Sequence, residues 1–382
     1  MRLLMFSITF RPFIGGAELA EEEILKRLPE IQTTVITALL DKKLSREETL
    51  GNIIIKRVGW GRRRLDKYLF PFLAFRLASQ LHRENPFNLS QAIMANYAGL
   101  AALIFKFRFP SVPYLLTMQS GDSPFFFFIR TWWFYPIYRM VYRKADFIQP
   151  ISNYLSYRAK SYGYKGPIKI VPNGVDLALF QNEIPNEKII SLKRELGIKE
   201  DETVIVTASR LVYKNAIDQL ILGFHEWQSK TGRNATLLII GDGNLRKKLE
   251  KLAEAIGAKR VIFLGEKQYR DLPQYFKLAD VFIRPSRSEG MGNAFIEAMA
   301  AGIPVIATPV GGIPDFLEHK VTGFFCEKDN PMSIARAINE ILGDNELRRM
   351  IVKNAKALVE ERYDWEKISG EMNEVYHLKL NP

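Results

Sequence analysis

Short apolar runs alternate with longer helical patterns along the first half of the chain. Seven of these runs have the length and composition of β-strands: Leu3–Ile8, Thr34–Thr37, Ile53–Arg57, Leu89–Ala95, Val112–Met118, Phe147–Ile151 and Lys169–Val171. Strands and helices that alternate in this order form parallel sheets with helices on both faces. The pattern therefore predicts a doubly wound α/β domain.

The alternation stops at a polar, helical stretch, residues 181–202, and then begins again. Six further strands are predicted: Thr203–Ala208, Thr236–Ile240, Val261–Phe263, Val281–Pro285, Val305–Ala307 and Gly323–Cys326. A chain of 382 residues is too long for one ordinary domain. We therefore predict two Rossmann-like domains with a boundary near residue 180. Ligands of open α/β sheets bind outside the carboxyl ends of the strands, so two such sheets facing each other would form an interdomain cleft.

The basic residues are concentrated in the first half of the chain. Residues 1–180 contain 25 Lys and Arg against 13 Asp and Glu, whereas residues 181–382 contain 29 of each class. Such an asymmetry indicates an anionic partner for the N-terminal half, either a membrane surface or nucleic acid. The sequence contains no nucleic-acid-recognition motif, so we expect no nucleic-acid partner.

Aromatic and basic residues also lie close together in this half. The aromatic run extends from Phe125 to Tyr142, and a second cluster precedes Tyr68. Trp-bearing, basic and amphipathic segments are typical of a membrane interface. An equally good interpretation places most of these aromatic residues in the protein core. For the first interpretation, the candidate membrane residues are Arg62, Arg63, Arg64, Arg130, Arg139 and Arg143, with Trp132 and Trp133 as interfacial anchors.

Cysteine and histidine usage gives no sign of disulfides or metal sites. The chain has one cysteine, Cys326, and its four histidines are scattered without ligand spacing. The N-terminus has a brief apolar run before Arg11 and Pro12, which is typical of a buried strand and not of a signal peptide. The longest charge-free stretch, residues 85–105, fits a strand followed by a helix better than a transmembrane helix. We expect a cytoplasmic protein, peripheral on the inner face of the cytoplasmic membrane.

The segment from Ser286 to Gly312, SRSEGMGNAFIEAMAAGIPVIATPVGG, predicts a strand-loop-helix unit. A helix is expected over residues 294–301, with Asn293 as its N-cap and Gly302 as its end. A unit of this kind directs backbone N–H groups and the positive end of the helix beyond the preceding strand. The segment therefore predicts a phosphate site.

Two glutamates, Glu289 and Glu297, stand eight positions apart in this segment. Glu289 lies in the predicted loop and can accept hydrogen bonds from sugar hydroxyls. Glu297 lies in the first turns of the predicted helix and can accept hydrogen bonds from a ribose diol beside the phosphates. Neither role requires a shifted pKa. For an isolated pair, a solvated loop residue and a first-turn glutamate favoured by the helix dipole would be the better interpretation.

The whole segment resembles the E-x7-E signature of family 4 of the retaining glycosyltransferases, including the PVIAT-x-VGG strand and turn. Five further segments resemble the same family in the expected order: IGGAE (Ile14–Glu18), ISN (Ile151–Asn153), PNGVD (Pro172–Asp176), TASRLVYKN (Thr207–Asn215) and LIIGDGNLR (Leu238–Arg246). This resemblance implies a GT-B fold, with two Rossmann-like domains around a cleft. It also implies that residues 363–382 form a last helix that crosses back to the N-terminal domain.

The resemblance implies a role in catalysis for Arg210, Lys214 and Glu289. Arg210 and Lys214 follow the first strand of the second domain, where Arg can bind two phosphate oxygens and Lys supplies a compact charge. These cations would stabilise a departing diphosphate, and a phosphate oxygen can take the proton of the sugar acceptor, so no protein nucleophile is required. Where many members of the family have glycine, this chain has Asn215 followed by Ala216.

The remaining candidates bind the sugar donor or the acceptor. Many family members carry a histidine near Gln119 that contacts the donor sugar, and glutamine replaces it here. Gly265–Lys267 corresponds to the backbone that meets the nucleobase, and Gly243 shapes the turn beside it. Asp122 orients the acceptor hydroxyl, serves as a base, or forms an Asx-turn after Gly121. The predicted donor-binding residues are Gly15, Gly16, Gln119, Gly241, Lys267, Gly290, Met291, Gly292, Asn293, Ala294 and Glu297.

These observations predict a retaining glycosyltransferase that needs no cofactor and no metal. It would transfer a sugar from a UDP- or GDP-linked donor to a membrane-associated glycan or lipid-linked acceptor. One alternative is a GT-B enzyme that acts on a soluble acceptor. Another is a non-catalytic partner subunit, although a retired site has no reason to retain Arg210, Lys214, Glu289 and Glu297.

Overall fold

The computed structural model describes residues 1–13, 15–121 and 135–378, apart from the side chain of Arg63. The chain forms two compact units. Unit 1 comprises Met1–Asn173 and the segment that begins at Trp365, and unit 2 comprises Gly174–Asp364. Each unit has its own sheet and its own hydrophobic core.

Unit 1 contains a seven-stranded sheet in its described residues. In chain order the strands are β1 (Arg2–Phe6), β2 (Gln32–Ala38), β3 (Glu47–Leu50), β4 (Ile53–Val58), β5 (Leu89–Ile93), β6 (Tyr114–Met118) and β7 (Phe147–Pro150). The order across the sheet is β3-β4-β2-β1-β5-β6-β7. Neighbouring strands are parallel except for the pair of β3 and β4, which is antiparallel.

Two features of this sheet differ from the sequence pattern. The edge strand β3 was not predicted, because its sequence, EETL, is polar and mostly exposed. The predicted strand Lys169–Val171 is wrong: this segment runs beside β7 with one isolated bridge, between Ile148 and Ile168. Val171 N–H donates to the carbonyl of Pro150. Pro150 has no N–H with which to return a bond, so no regular ladder forms.

The first five described helices of the chain belong to unit 1. They are α1 (Gly16–Lys26), α2 (Arg63–Glu84), α3 (Tyr97–Arg108), α4 (Tyr135–Arg143) and α5 (Asn153–Ser161). In α4, Tyr138 and Tyr142 are buried and their hydroxyls lie 2.7 Å apart. These two members of the aromatic run are therefore core residues, as the second interpretation of the sequence predicted. No helix in the described ranges is long and apolar enough to span a membrane.

Unit 2 contains a six-stranded sheet in which all described pairs are parallel. Its strands are β8 (Thr203–Ala208), β9 (Ala235–Ile240), β10 (Val261–Gly265), β11 (Val281–Arg284), β12 (Val305–Ala307) and β13 (Phe324–Phe325). The order across the sheet is β10-β9-β8-β11-β12-β13. The chain thus extends the sheet in one direction from β8 to β10 and then in the other from β11 to β13. The strand order reverses between β8 and β11, which is where open α/β sheets bind their ligands.

Helices cover both faces of this second sheet. They are α6 (Leu177–Gln181), α7 (Asn186–Glu195), α8 (Ile217–Thr231), α9 (Arg246–Ala255), α10 (Leu272–Lys277), α11 (Asn293–Ala301), α12 (Pro331–Gly343) and α13 (Asn345–Arg362). The last helix, α14 (Trp365–His377), belongs to unit 1. Trp365, Ile368 and Met372 of α14 are buried in the core of that unit.

Candidate functional site

The loops that follow β8, β9 and β10 are joined by backbone hydrogen bonds at the carboxyl edge of the unit 2 sheet. Ser209 N–H donates to Ile240 O (2.9 Å), and Leu211 N–H donates to Asp242 O (2.9 Å). Arg210 stands between these two anchored residues, and its side chain is exposed. The structure gives that guanidinium no ion pair with any described residue. The loop therefore holds a free cation beside the point where the strand order reverses.

Glycines allow the loop after β9 to approach this backbone closely. Gly241 has a positive φ of 123°, and a Cβ at this position would lie 2.0 Å from Ser209 O. A Cβ at Gly243 would lie 2.4 Å from Leu211 O. Neither distance is compatible with a side chain, so both positions require glycine.

Lys214 lies in a short 3-10 turn, Tyr213–Asn215, that continues the loop after β8. The side chain of Asn215 donates to the Arg210 carbonyl (2.7 Å), which ties the two ends of the loop together. Ala216 then begins α8 in the left-handed conformation, with φ 52°. Glycine would adopt this conformation more easily than alanine, so the turn keeps its geometry at a small conformational cost.

Arg287, which sequence analysis did not identify, joins the Lys214 turn to the loop after β11. Its backbone N–H donates to Lys214 O (2.7 Å), and its guanidinium lies 4.3 Å from the centre of the Tyr213 ring. The same guanidinium forms an ion pair with Asp218 at 2.6 Å. These contacts fix the backbone of Lys214. The side chain of Lys214 is half-buried.

The loop that carries Glu289 is held by a second close backbone contact. Gly311, in the turn after β12, has φ 61°, and a Cβ there would lie 1.7 Å from Glu289 O. Gly290 N–H donates to the Glu289 carboxylate (3.1 Å). Gly290 and Met291 are buried. The Glu289 side chain is therefore presented by a loop with little freedom to move.

Arg284, at the end of β11, lies beside both glutamates. It donates to the Glu289 carboxylate (3.0 Å) and to Ala208 O (3.2 Å), and it is 6% exposed. Its guanidinium lies 4.2 Å from the centre of the Phe295 ring. Burial lowers the pKa of Arg284, and the charges of Glu289 and Glu297 oppose this effect. Since an arginine keeps its proton in proteins, the site contains a permanent buried positive charge.

Glu297 is buried on α11, and its pKa departs from the ordinary value of a glutamate. Burial raises the pKa to about 7, although the Arg284 charge acts in the opposite direction. Among the described residues the structure gives its carboxylate no hydrogen bond. A buried carboxyl group without a hydrogen-bond partner favours a ligand that can donate to it. The role proposed for Glu297 does not require a shifted pKa, and burial supplies one.

The start of α11 also differs from its prediction. Its N-cap is Gly292, with φ 97°, and Asn293 is already the first helical residue. A Cβ at residue 292 would lie 2.6 Å from the Arg284 guanidinium, so the buried arginine explains why glycine stands there. Asn293 and Ala294 are half-buried at the helix terminus. The predicted helix end at Gly302 is confirmed, with φ 80°.

Lys267 lies farther along the same edge of the sheet, after β10. Gly241 N–H donates to Gly265 O (2.7 Å), so the turn after β9 is tied to the segment that precedes Lys267. The Lys267 ammonium lies 5.7 Å from the centre of the Tyr275 ring. The structure thus places the predicted donor-binding residues of unit 2 along one edge, from β10 to β11.

In unit 1, Gly15 and Gly16 stand at the start of α1. Glu18 folds back and accepts a hydrogen bond from Gly15 N–H (2.9 Å), so its carboxylate already caps this terminus. Gln119, after β6, forms a reciprocal pair of hydrogen bonds with the side chain of Asn173 (3.0 and 2.9 Å). The amide of Gln119 is therefore oriented by the PNGVD segment.

A buried polar network lies behind these residues. Glu21 of α1 is 1% exposed, and burial raises its pKa to about 8. The Gln91 side chain donates to Glu21 (3.2 Å) and to Thr117 (2.8 Å), and it accepts a hydrogen bond from Tyr376 (3.1 Å). Burial thus favours the protonated form of the Glu21 carboxyl. The network connects α1 and the sheet to α14, and no sequence motif pointed to it.

The structure describes some of the predicted membrane residues, whereas others and the predicted acceptor residue lie outside the described ranges. Arg62, Arg64 and Arg143 are exposed, whereas Arg139 is half-buried and donates to Tyr162 O (3.2 Å). The other predicted residues of this class lie outside the described part of the chain, as does the side chain of Arg63: Asp122, Phe125–Phe128, Arg130, Trp132 and Trp133. Within the described residues there is no group of three or more His, Cys, Asp or Glu placed to hold a metal ion.

Comparison with protein families gives two matches that together cover most of the chain. A model described as Glycosyl transferases group 1 matches residues 188–358, and one described as Glycosyltransferase Family 4 matches residues 14–179.

The proteins that are similar to this chain include two curated relatives and one solved structure. An uncharacterized glycosyltransferase of Methanocaldococcus jannaschii, MJ1607, is 36% identical over 56% of this chain and 54% of its own length. The GDP-mannose-dependent monoacylated alpha-(1-6)-phosphatidylinositol monomannoside mannosyltransferase of Corynebacterium glutamicum is 32% identical over 61% of this chain and 62% of its own length. Anabaena Alr3699/HepE in complex with UDP-glucose has a TM-score of 0.81 and 23% identity, and the match covers 98% of this chain and 99% of that structure. The chain thus spans between half and two thirds of the length of the two curated relatives. Its likeness to the solved structure covers nearly the whole of this chain and confirms the GT-B fold.

Proposed function

The chain belongs to the group 1, family 4 glycosyltransferases, and from this premise we propose that it transfers a sugar from a UDP- or GDP-linked donor to a membrane-associated glycan or lipid-linked acceptor, with retention at the anomeric carbon. The proposal assigns the sugar donor to unit 2. It requires no cofactor and no divalent metal ion.

One observation carries this proposal. Positively charged side chains and a pair of glutamates occupy adjacent loops where the strand order of unit 2 reverses. Arg210 and Lys214 follow β8, and Glu289 and Glu297 follow the neighbouring strand β11. Cations at this point suit a diphosphate, and carboxylates beside them suit the hydroxyls of a sugar and a ribose.

The residues fit the charge changes of a sugar transfer. The bond between the anomeric carbon and the diphosphate breaks, and the leaving diphosphate gains negative charge. Arg210 and Lys214 stabilise that charge more strongly than they stabilise the bound sugar donor, which lowers the barrier. The acceptor oxygen then bonds to the anomeric carbon on the same face, and its proton passes to an oxygen of the diphosphate. No covalent intermediate with a protein side chain is needed.

The printed names of two similar proteins support the substrate classes. The corynebacterial relative uses GDP-mannose and acts on a phosphatidylinositol mannoside, and HepE binds UDP-glucose. The basic excess of residues 1–180 supports an acceptor at an anionic lipid surface. We therefore propose that the enzyme works at the inner face of the cytoplasmic membrane.

A transfer assay tests the proposal. The full chain is incubated with labelled UDP- and GDP-sugars and a lipid extract, and label in the lipid phase is measured with and without EDTA. We expect transfer from donors of one nucleotide and little effect of EDTA. Arg210→Ala and Lys214→Ala should each lower turnover about a hundredfold, because each removes one group that stabilises the transition state. Label found only on water-soluble products would favour a soluble acceptor, and strict dependence on a divalent ion would contradict the metal-independent mechanism.

A further inference from the structure

Helix α2 of unit 1 is apolar on two opposite sides. Phe70, Ala74 and Ala78 are fully buried against the unit. On the other side, Tyr68 is 63% exposed and Phe72 is 61% exposed. Large apolar side chains that are grouped and exposed on one side of a helix mark a surface that binds another apolar phase.

Arginines stand at both ends of this exposed apolar side. Arg62 and Arg64 are exposed at the start of α2, and Arg76 and Arg83 are exposed farther along it. The helix contains two acidic residues, Asp66 and Glu84, and Asp66 is fully buried. The exposed side is therefore positively charged around an apolar centre.

The buried Asp66 fixes the segment that leads into the helix. Its carboxylate accepts hydrogen bonds from Trp60 N–H (2.9 Å) and from Arg62 N–H (2.6 Å). Trp60 is thereby held beside the first turn with half of its surface exposed. The tryptophan and the arginines are thus presented on an ordered segment.

We propose that this side of α2 docks on an anionic lipid bilayer. The docking surface consists of Trp60, Leu65, Tyr68 and Phe72, with Arg62, Arg64 and Arg76 at its edges. Aromatic side chains with apolar bodies and polar tips favour the interface of a bilayer, and arginines beside them bind anionic headgroups. The surface supplies a membrane partner for the proposed transfer to a lipid-linked acceptor, and in that sense it rests on the proposed function.

Charge favours a bilayer over a second copy of this chain as the occupant. A two-fold contact between two copies of this surface would bring its arginines together, because the same residues face each other across such an interface. Among the described side chains of α2, Glu84 is the one exposed acidic group that could compensate for this repulsion. An anionic bilayer supplies the opposite charge and an apolar interior together.

Co-sedimentation with vesicles tests the proposal. The full chain, without nucleotide sugar, is mixed with vesicles of phosphatidylcholine alone or of phosphatidylcholine and phosphatidylglycerol. We expect binding to the anionic vesicles that weakens as salt is added. Arg62→Ser with Arg64→Ser should lower the partition coefficient about 30-fold, since each arginine near an anionic surface contributes about fivefold.

A second pair of variants separates the apolar contribution from the charge. Tyr68→Ser with Phe72→Ser leaves the net charge unchanged and should lower the partition coefficient about tenfold or more. The matched control is Lys247→Ser with Lys248→Ser, which removes two exposed cations from α9 of unit 2 and should leave binding unchanged. Both residues replaced in each variant are at the surface, and melting temperatures check that all variants remain folded.

Three results would overturn the proposal. The first is that the wild-type chain does not bind anionic vesicles at low salt. The second is that the partition coefficient falls equally in the α2 variants and in the Lys247, Lys248 control. The third is that the wild-type chain is a dimer, which the Tyr68, Phe72 variant converts to a monomer. Because the experiment contains no sugar donor, its failure leaves the proposed transfer activity standing. Loss of donor binding, in turn, would leave the docking result unchanged.

Discussion

The Arg284 guanidinium gives the two glutamates of the candidate site different properties. It donates a hydrogen bond to Glu289, whereas it influences Glu297 through its charge. Glu289 therefore has a partner that orients its carboxylate, as its proposed role in sugar recognition requires. Glu297 remains a buried carboxyl group that titrates near neutral pH. A ligand that donates hydrogen bonds to Glu297 would compensate for the burial of its charge.

We expect the two glutamates to separate by ligand. Glu297→Gln should weaken binding of both the free nucleotide and the nucleotide sugar, because the ribose is present in both. Glu289→Gln should mainly weaken binding of the nucleotide sugar, because its proposed partners are sugar hydroxyls. Calorimetry with both ligands measures this difference. Equal losses for both ligands in both variants would show that the roles are divided wrongly.

The raised pKa of Glu297 predicts a pH dependence of sugar-donor binding. With a pKa of about 7, the carboxylate form increases from roughly one tenth at pH 6 to roughly nine tenths at pH 8. If the carboxylate accepts hydrogen bonds from the ribose diol, as proposed, affinity should rise several-fold over this range. The diphosphate of a nucleotide sugar is esterified at both ends and does not titrate here. Calorimetric titrations across the range measure the effect.

Two variants serve as controls for this pH profile. Glu297→Gln should bind weakly and without the pH dependence. Arg284→Leu should move the midpoint to higher pH, because it removes the positive charge that lowers the pKa of Glu297. A profile that is flat in the wild-type chain, or unchanged in Arg284→Leu, would contradict the assigned ribose contact.

At the residue scale, sequence reasoning identified the glutamates but not the charge between them. The spacing of Glu289 and Glu297 is visible in the sequence, whereas their burial is not. Arg284 ends a strand, VFIR, that otherwise reads as apolar. A cation at the carboxyl end of a buried strand is the signal that would have identified it. Asn293 resembled an N-cap because of its residue type, but the space beside Arg284 places Gly292 there.

At the scale of elements, close contacts between loop backbones hold the site together. Gly241 packs on Ser209 beside Arg210, and Gly311 packs on Glu289. Each contact joins the loop of one strand to the loop of the adjacent strand. The loop after β8 carries Arg210 and is supported by the turn of Gly241. The loop after β11 carries Glu289 and is supported by the turn of Gly311.

Replacement of Gly241 tests this arrangement. Gly241→Ala should destabilise the chain by about 3 kcal/mol. The alanine would have to adopt a positive φ, and its Cβ would collide with Ser209 O. Gly257→Ala is the matched control: Gly257 has φ 65°, and nothing lies within 4 Å of its Cβ position. That variant should cost about 1 kcal/mol from its φ alone. Thermal unfolding measures both, and equal losses would show that the contact with Ser209 contributes nothing.

The sequence pattern predicted most of the buried strands, since apolar runs bounded by turns mark them clearly. It missed β3, whose polar residues pair along the edge of the sheet with β4. It wrongly added Lys169–Val171, because an apolar run alone does not reveal that Pro150 interrupts the ladder. Both errors concern edges, where backbone pairing and not apolar burial decides the structure.

At the scale of the whole molecule, the chain combines two different surfaces. Unit 2 presents fixed cations and carboxylates at the reversal point of its sheet, which suits a nucleotide sugar. Unit 1 contains the basic excess and the exposed side of α2, which suits an anionic membrane. The charge asymmetry could be read from the sequence. The stripe that contains Tyr68 and Phe72 could not, because the pattern does not show which apolar side of α2 stays exposed.

The most direct test of the central claim is a calorimetric titration of the full chain with UDP- and GDP-sugars, for the wild type, Arg210→Ala and the Lys247, Lys248 control. The account predicts binding of sugars of one nucleotide, a loss of about tenfold or more in Arg210→Ala, and an unchanged affinity in the control. A wild-type chain that binds no nucleotide sugar, or an Arg210→Ala variant that binds as tightly as the wild type, would contradict the assignment of the sugar-donor site to unit 2.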